Sequence, residues 1–183
     1  MQPTQVQMVD EAASRYATVT DYHRIFAEEM ESLYLLAFLL TADSDKAEEC
    51  FVSGLGECID QIGVFMDRAS TCARRAVFKQ AIRMILPVPE GDADGFFVTA
   101  KRPAIATTMN PFAAVISLPD FERFVFVMSV LEGQSDENCQ ELLRCSRLEL
   151  VLARDVAFRL VATSGPSSER TLSGSRTWPA LLH

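Results

Sequence analysis

Apolar residues recur at steps of three and four along three stretches in the first half of the chain. This spacing places them on one face of an α-helix, so each stretch predicts an amphipathic helix. The first stretch runs from Asp21 to Leu40, and the third runs from about Arg68 to Leu86. The second follows "TADSD", where Asp45 is the predicted N-cap and Glu48, three residues later, completes a capping box.

The periodicity is lost between residues 87 and 116, where four prolines stand at positions 87, 89, 103 and 111. Proline interrupts helices, so this segment is predicted to be a linker. Helical patterning returns at "LPDFERFVFVMSVLEG". Pro119 suits the first turn of that helix and Gly133 suits the position just after its end.

A second, shorter pattern follows in "SDENCQELLRCSRLEL". Ser135 or Asp136 is the predicted cap of a short helix that ends at Leu143. A turn then covers residues 144–146, and a last helix runs to about Val161. A short helix, a tight turn and a second helix are the parts of a helix-turn-helix, although a plain helical hairpin has the same pattern.

The patterns together predict an all-α fold with two small helical domains joined by a linker and a C-terminal helix-turn-helix. The predicted limits are 1–86 for the N-terminal domain, 87–116 for the linker and 117–162 for the helix-turn-helix domain. Residues 163–183 are rich in Ser, Thr and Gly and are predicted to be a disordered tail. Within the tail, Trp178 to Leu182 is an apolar stretch suited to docking against the folded part.

Several classes of protein are disfavoured by composition. The longest uncharged apolar run, Leu33 to Leu40, is far shorter than the roughly 20 residues that a membrane helix needs. The N-terminus lacks the pattern of a signal peptide, so a cytoplasmic location is expected. The five cysteines are odd in number and include no CxxC pair, which favours reduced thiols within helices over disulfides or a metal site.

Catalysis also finds little support in the residues. The chain has two histidines, His23 and His183, too few and too far apart to predict a catalytic or metal cluster. The glycines of "GLGECIDQIG" lie inside a helical stripe, so close packing at Gly54 or a bend is a better reading than a phosphate loop. We therefore expect a protein that is not an enzyme, with no catalytic residues, no metal and no cofactor.

The net charge is −8 and no segment is strongly basic, so contact with nucleic acid would need a local patch. One such patch is predicted in "ARRAVFKQAIRMI", where Arg75, Lys79 and Arg83 are four residues apart and Arg74 is adjacent. At helical spacing the three cations Arg75, Lys79 and Arg83 line one exposed face, where a polyanion can lie along them. The alternative is an ordinary solvated face that pairs with acids elsewhere in the chain.

At this level the chain resembles a known family. "LPDFERFVFVMSVLEGQSDENCQELLRCSRLEL" is similar to the C-terminal promoter-binding domain of bacterial RNA polymerase sigma factors of the extracytoplasmic-function type. "LYLLAFLLTADSDKAEECF" resembles part of the N-terminal domain of that family, and "CARRAVFKQAIRMI" occupies the position of its promoter-melting helix. The resemblance covers about 21–86 and 117–161, and it depends on the order and spacing of these motifs together.

The resemblance implies a transcription initiation protein that binds core RNA polymerase and promoter DNA, with an anti-sigma regulator as a further candidate partner. The implied polymerase-binding residues are Asp45, Glu48 and Glu49. The implied contacts with the downstream promoter element and the separated strand are Arg74, Arg75, Lys79 and Arg83. The implied contacts with the upstream element, in the turn and the last helix, are Arg144, Arg147, Glu149 and Arg154.

The chain also departs from the family pattern. Arg144 stands where the family has a turn glycine, so it must adopt a left-handed backbone or a different turn. Val151, Ala153 and Val156 stand where the recognition helix commonly has Lys or Arg, which thins the phosphate contacts. A second hypothesis is therefore a sigma-derived interaction protein that binds polymerase or a regulator without specific promoter recognition.

Overall fold

The computed structural model of the chain describes residues 15–61, 63–89 and 112–163. The described residues form eight α-helices and no β-strand, which confirms the predicted all-α class. In chain order the helices are α1 (Val19–Glu28), α2 (Met30–Thr41), α3 (Ser44–Asp60), α4 (Ala69–Ile85), α5 (Ala113–Ile116), α6 (Asp120–Phe126), α7 (Asp136–Leu143) and α8 (Arg147–Thr163). Most of the predicted linker and nearly all of the predicted disordered tail lie outside the described residues, so the predicted domain limits stay a prediction.

The helix predicted from Asp21 to Leu40 is two helices, α1 and α2, and that prediction was wrong. The break falls at Glu29, whose backbone leaves the helical region at φ −99° and ψ 16°. The apolar positions keep their spacing across the break, so the sequence pattern contains no sign of it. Hydrogen bonds from Glu29 N–H to the Ile25 carbonyl and from Leu33 N–H to the Glu29 carbonyl keep the two helices closely joined.

The cap of α3 also differs from the prediction, because Asp43 and not Asp45 is the N-cap. Asp43 has an extended backbone, and its Oδ1 accepts hydrogen bonds of 3.0 Å from the N–H groups of Asp45 and Lys46. The reason lies in the end of α2, where Ala42 adopts a left-handed backbone with φ 54°. Only Ala42 and Asp43 lie between the two helices, so Asp45 falls inside the first turn of α3.

The helices α3 and α4 pack closely against each other. Ala73, Val77 and Ala81 of α4 are buried as their spacing predicts. Gly54 of α3 faces Val77, and a Cβ atom at Gly54 would lie 3.3 Å from Val77 Cγ2. This close approach confirms the prediction of close helix packing at Gly54.

A side chain at position 54 is therefore expected to push α3 away from α4. We predict that Gly54→Leu lowers the free energy of unfolding by about 1–3 kcal/mol, the usual cost of overpacking. The matched control is Gly56→Leu, because a Cβ at Gly56 meets nothing within 4 Å. The control should lose no stability and gain up to about 1 kcal/mol from helix propensity. Urea denaturation measures both, and equal effects at the two positions would contradict this packing.

The C-terminal half, residues 112–163, packs directly against the N-terminal half, residues 15–89. Helix α6 lies against α8 and also contacts α2, while α4 contacts α7. The buried apolar side chains of both halves belong to one cluster. The sequence pattern predicted two separate domains, because helical periodicity indicates which face of a helix is buried but not which element covers that face.

A buried arginine joins the two halves at this contact. Arg123 of α6 is only 4% exposed. Its Nε donates to the Leu40 carbonyl at the end of α2 at 3.1 Å, and its Nη1 donates to the Leu118 carbonyl at 2.9 Å. Its Nη2 pairs with Asp120 Oδ1 at 2.5 Å. The guanidinium thus satisfies a carbonyl that the last turn of α2 leaves without a helical partner.

Candidate functional site

The cations of α4 were predicted to form an exposed basic face. The structure places Lys79 and Arg83 on one side of α4, where both pair with the same carboxylate of α3. Lys79 Nζ lies 2.9 Å from Glu57 Oε1, and Arg83 Nη1 lies 2.9 Å from Glu57 Oε2. Gln80 Nε2 donates to Glu57 Oε2 as well, at 2.9 Å. Glu57, whose side chain is 15% exposed, is therefore held by three donors.

The other two cations of α4 reach the C-terminal half. Arg74 Nη1 lies 2.9 Å from Glu132 Oε2, while its Nη2 donates to Ser32 Oγ at 2.7 Å and lies 3.4 Å from Glu29 Oε2. Arg75 Nη2 lies 2.8 Å from Glu141 Oε1 of α7. These ion pairs lie between α4 and the segment that was predicted to be a separate DNA-reading domain.

The four cations of α4 thus face four carboxylates, and the predicted alternative of pairing with acids elsewhere describes this structure. The carboxylates are Glu29, Glu57, Glu132 and Glu141. The cations remain partly accessible, since the side chains of Arg75, Lys79 and Arg83 are 39%, 34% and 62% exposed. Ion pairs at such exposure contribute at most about 1 kcal/mol each, so a polyanion can replace these carboxylates at modest cost.

The acidic residues at the start of α3 form an exposed surface. Asp45, Glu48 and Glu49 are all exposed, and their spacing places them on one side of the helix. Among the described residues, none of these three carboxylates forms an ion pair. Acids in the first turns of a helix also lie near the positive end of the helix dipole. This acidic surface is therefore folded, accessible and available to a cationic partner.

The helices α7 and α8 are joined by three residues, Arg144, Cys145 and Ser146. Ser135 is the cap of α7, and its hydroxyl accepts a hydrogen bond from Asn138 N–H at 3.3 Å. Arg144 ends α7 in a left-handed backbone with φ 53° and ψ 42°. Of the two predicted alternatives, a left-handed backbone and a different turn, the structure has the first. The residue that ends α7 thus has the backbone conformation that glycine adopts most easily, although it carries a long side chain.

Glu149 has a structural contact that its predicted role did not include. Its Oε2 accepts a hydrogen bond of 2.6 Å from Ser146 N–H, and its own N–H donates to Ser146 Oγ at 3.3 Å. This reciprocal pair is a capping box at the start of α8. The hydrogen bonds from Ser146 lower the pKa of the Glu149 carboxyl. The carboxylate thus caps the start of α8, whereas the sequence analysis had predicted that it contacts DNA.

The two remaining arginines that were assigned to promoter contact differ in their exposure to solvent. Arg147 is exposed at the first position of α8. Arg154 is half-buried, because its Nε donates to Ser129 Oγ at 3.1 Å and its Nη2 pairs with Asp136 at the start of α7. Ala153, which was counted among the lost phosphate contacts, is 4% exposed and faces the core. A cation at that position would be buried, so this part of the prediction was wrong.

The exposed side of α8 carries a feature that the sequence reading missed. Leu148, Val151 and Leu152 are 68%, 47% and 56% exposed and lie in the first two turns. We call these three residues the α8 apolar patch. The sequence analysis noted Val151 only as a position without a Lys or Arg. The helical spacing of Val151 with Leu148 and Leu152 is the signal that could have revealed the patch. A groove-reading helix carries polar side chains at such positions, so the patch suits an apolar contact better than base edges.

The five cysteines lie within described residues and are all free, as predicted. Cys50, Cys58 and Cys139 are buried. Burial raises the pKa of the Cys50 and Cys58 thiols to about 12 and that of Cys139 to about 11. Thiols with these pKa values stay protonated at neutral pH and are poor nucleophiles.

Comparison of the chain with known protein families, curated proteins and solved structures finds no match. The part of the chain that the structure describes contains no group of acidic, histidine and cysteine side chains able to hold a metal ion. It also contains no helix with the length and apolar character needed to span a membrane. The candidate site consists of the three surfaces described above, which are the acidic surface of α3, the paired cations of α4 and the α7–α8 pair.

The left-handed backbone at Arg144 leads to a stability prediction. A residue with a Cβ is strained in this region by about 1–2 kcal/mol, and glycine is not, although glycine costs more entropy on folding. We expect Arg144→Gly to raise the free energy of unfolding by about 0.5–1 kcal/mol. Arg144→Ala, which keeps the Cβ and removes the charge, is the control and should give no such gain. Thermal denaturation compares the two, and equal melting temperatures would contradict the strain.

Proposed function

We propose that the protein is a sigma-factor-like protein that binds core RNA polymerase and promoter DNA to direct transcription initiation. The observation that carries the proposal is the α7–α8 pair, with a short capped helix, a three-residue connection and a longer second helix. This is the arrangement with which helix-turn-helix proteins present a second helix to the major groove. The order of the acidic, basic and helix-turn-helix motifs along the chain supports the same assignment.

Binding to polymerase is assigned to the acidic surface of α3. Asp45, Glu48 and Glu49 are exposed together at the start of one helix, which suits a basic surface on a large partner. Exposed charges at an interface act mainly through the association rate and the salt dependence. Polymerase binding should therefore weaken as ionic strength rises.

A charge reversal tests this assignment. We expect Glu48→Lys with Glu49→Lys to weaken binding to purified core polymerase and to make its salt dependence shallower. The matched control is reversal of Glu28 and Glu31, which are exposed acids on α1 and α2. Fluorescence anisotropy or surface plasmon resonance gives the affinities. Unchanged affinity in the first variant, or equal loss in both, would remove the assigned interface.

Contact with promoter DNA is assigned first to the cations of α4. Three of them, Arg75, Lys79 and Arg83, are spaced four apart along one helix and are at least 34% exposed. Their partners Glu57 and Glu141 compete with phosphates for them. Binding to DNA then requires exchange of these carboxylates for phosphate oxygens, and Arg75 would at the same time give up its ion pair with Glu141 of α7.

A second candidate function has its own support. The inward position of Arg154, the capping role of Glu149 and the α8 apolar patch all reduce the polar surface that α8 can offer to base edges. These features favour a sigma-derived protein that binds polymerase or a regulator without specific promoter recognition. DNA binding in the presence of polymerase separates the two candidates, because only the first requires it.

A further inference from the structure

The α8 apolar patch is an exposed apolar surface at the start of the last described helix. Leu148 and Leu152 are four residues apart and Val151 lies beside them, so the three side chains form one continuous surface. Further along the same face, Asp155 and Arg159 pair with each other at 2.5 Å. Asp155 thus borders the patch beside Val151, while Val156, 39% exposed, continues the row of Leu148 and Leu152 into the next turn.

We propose that the α8 apolar patch is the docking site of the segment Trp178–Leu182 of the same chain. This segment, "WPALL", is the most apolar stretch after α8, and its Trp178, Leu181 and Leu182 match the patch in number and chemistry. The residues between, "SGPSSERTLSGSRT", are mostly small and polar. The inference goes beyond the proposed function, because it concerns a contact within the chain.

The length of the intervening chain fits this contact. The rise of an α-helix puts Leu152 about 16 Å and Leu148 about 22 Å back along α8 from its end at Thr163. The 14 residues 164–177 have, as a Gly/Ser-rich chain, an r.m.s. span of about 19–22 Å. A tether is most effective when its r.m.s. length matches the distance to be spanned. The segment can therefore reach the patch without being stretched.

The tether also decides between this segment and a second copy of the chain as the occupant. A short tether holds its end near the site at an effective concentration on the order of millimolar. A second copy reaches that level only when the protein itself is at millimolar concentration. At ordinary protein concentrations the segment of the same chain therefore fills the patch first.

Docking there has a consequence for the α7–α8 pair. The patch occupies the first two turns of α8, which are the turns that a helix-turn-helix protein inserts into the major groove. The docked segment would cover Leu148 and Leu152 and lie next to Arg147. It thereby excludes from this face any macromolecule that does not displace it.

Trp178 makes the contact measurable, because it is the only tryptophan of the chain. In the full chain at micromolar concentration, we expect its emission maximum to be blue-shifted relative to a peptide of residues 164–183. We also expect it to be quenched by acrylamide several-fold less readily than in that peptide. Leu148→Glu with Leu152→Glu should move both readings to the values of the peptide. Both residues are more than half exposed, so the fold should survive, and far-ultraviolet circular dichroism checks this.

The matched control is Val52→Glu, which changes an equally exposed apolar residue on α3. It should leave the emission of Trp178 unaltered. Peptide-like emission in the unaltered chain would overturn the proposal, as would a blue shift that persists in the Leu148→Glu, Leu152→Glu variant. A blue shift that disappears on dilution, together with a doubled mass in light scattering, would assign the patch to a second copy and overturn it too.

Discussion

Replacing Arg123 with alanine is expected to lower the free energy of unfolding by about 2–4 kcal/mol, the largest loss among the substitutions considered for single charged residues. The guanidinium is 4% exposed and donates to the carbonyls of Leu40 and Leu118. Its loss leaves both buried acceptors without this donor and removes packing between α6 and α2. The pair with Asp120 adds less, because the Asp120 side chain is 57% exposed.

The matched control for this prediction is Arg159→Ala. Arg159 also pairs with an aspartate on its own helix, but its side chain is 75% exposed. Its replacement should change stability by no more than about 0.5 kcal/mol. Arg123→Lys should recover only part of the loss, since an ammonium lacks the planar fork that reaches three acceptors. Equal losses for Arg123→Ala and Arg159→Ala in urea denaturation would contradict the role of Arg123 in joining the two halves.

The second large effect concerns DNA. Replacing Arg75, Lys79 and Arg83 together with alanine is expected to flatten the log-log salt dependence of DNA binding, measured in the presence of polymerase. Each lost phosphate contact reduces the magnitude of that slope by about 0.7–0.9, so three contacts reduce it by about 2–3. The side chains of these cations are 34–62% exposed, and Gln80 still donates to Glu57 in the variant, so the fold should be retained.

The matched comparison is Arg147→Ala with Arg154→Ala. Arg154 is already engaged by Ser129 and Asp136, so this variant should lose at most one phosphate contact. Its slope should therefore change by about 0.9 or less. If neither variant changes DNA binding while polymerase binding is retained, the assignment of these residues to DNA contact is wrong and the second candidate function is favoured.

Local chemistry made several elements predictable from the sequence. The limits of α7 follow from Ser135 at its start and from the residues that end the pattern at Leu143. Gly133 has φ 62° just after the helical turn Val127–Leu131, which continues α6, as its place in the pattern indicated. These features depend on neighbours within a few residues, and sequence spacing records such neighbours directly.

Features that depend on distant residues were not predictable in this way. The break at Glu29 leaves the apolar spacing intact, and the partners of the α4 cations lie 22 to 66 residues away along the chain. Arg123 looks in the sequence like any surface arginine, and only the fold brings it to the end of α2. The clustering of charges at α3 and α4 was therefore predictable from their spacing, while the partners of the α4 cations required the structure. The assignment of these charges to polymerase and DNA stays a prediction.

The central proposal is transcription initiation, and run-off transcription with purified core RNA polymerase and a promoter library tests it most directly. The proposal predicts transcripts that begin at defined positions on a subset of templates and that appear only when this protein is added. It also predicts fewer such transcripts with the Arg75, Lys79 and Arg83 triple-alanine variant. Absence of any protein-dependent transcript, although the protein binds the polymerase, would contradict the proposal.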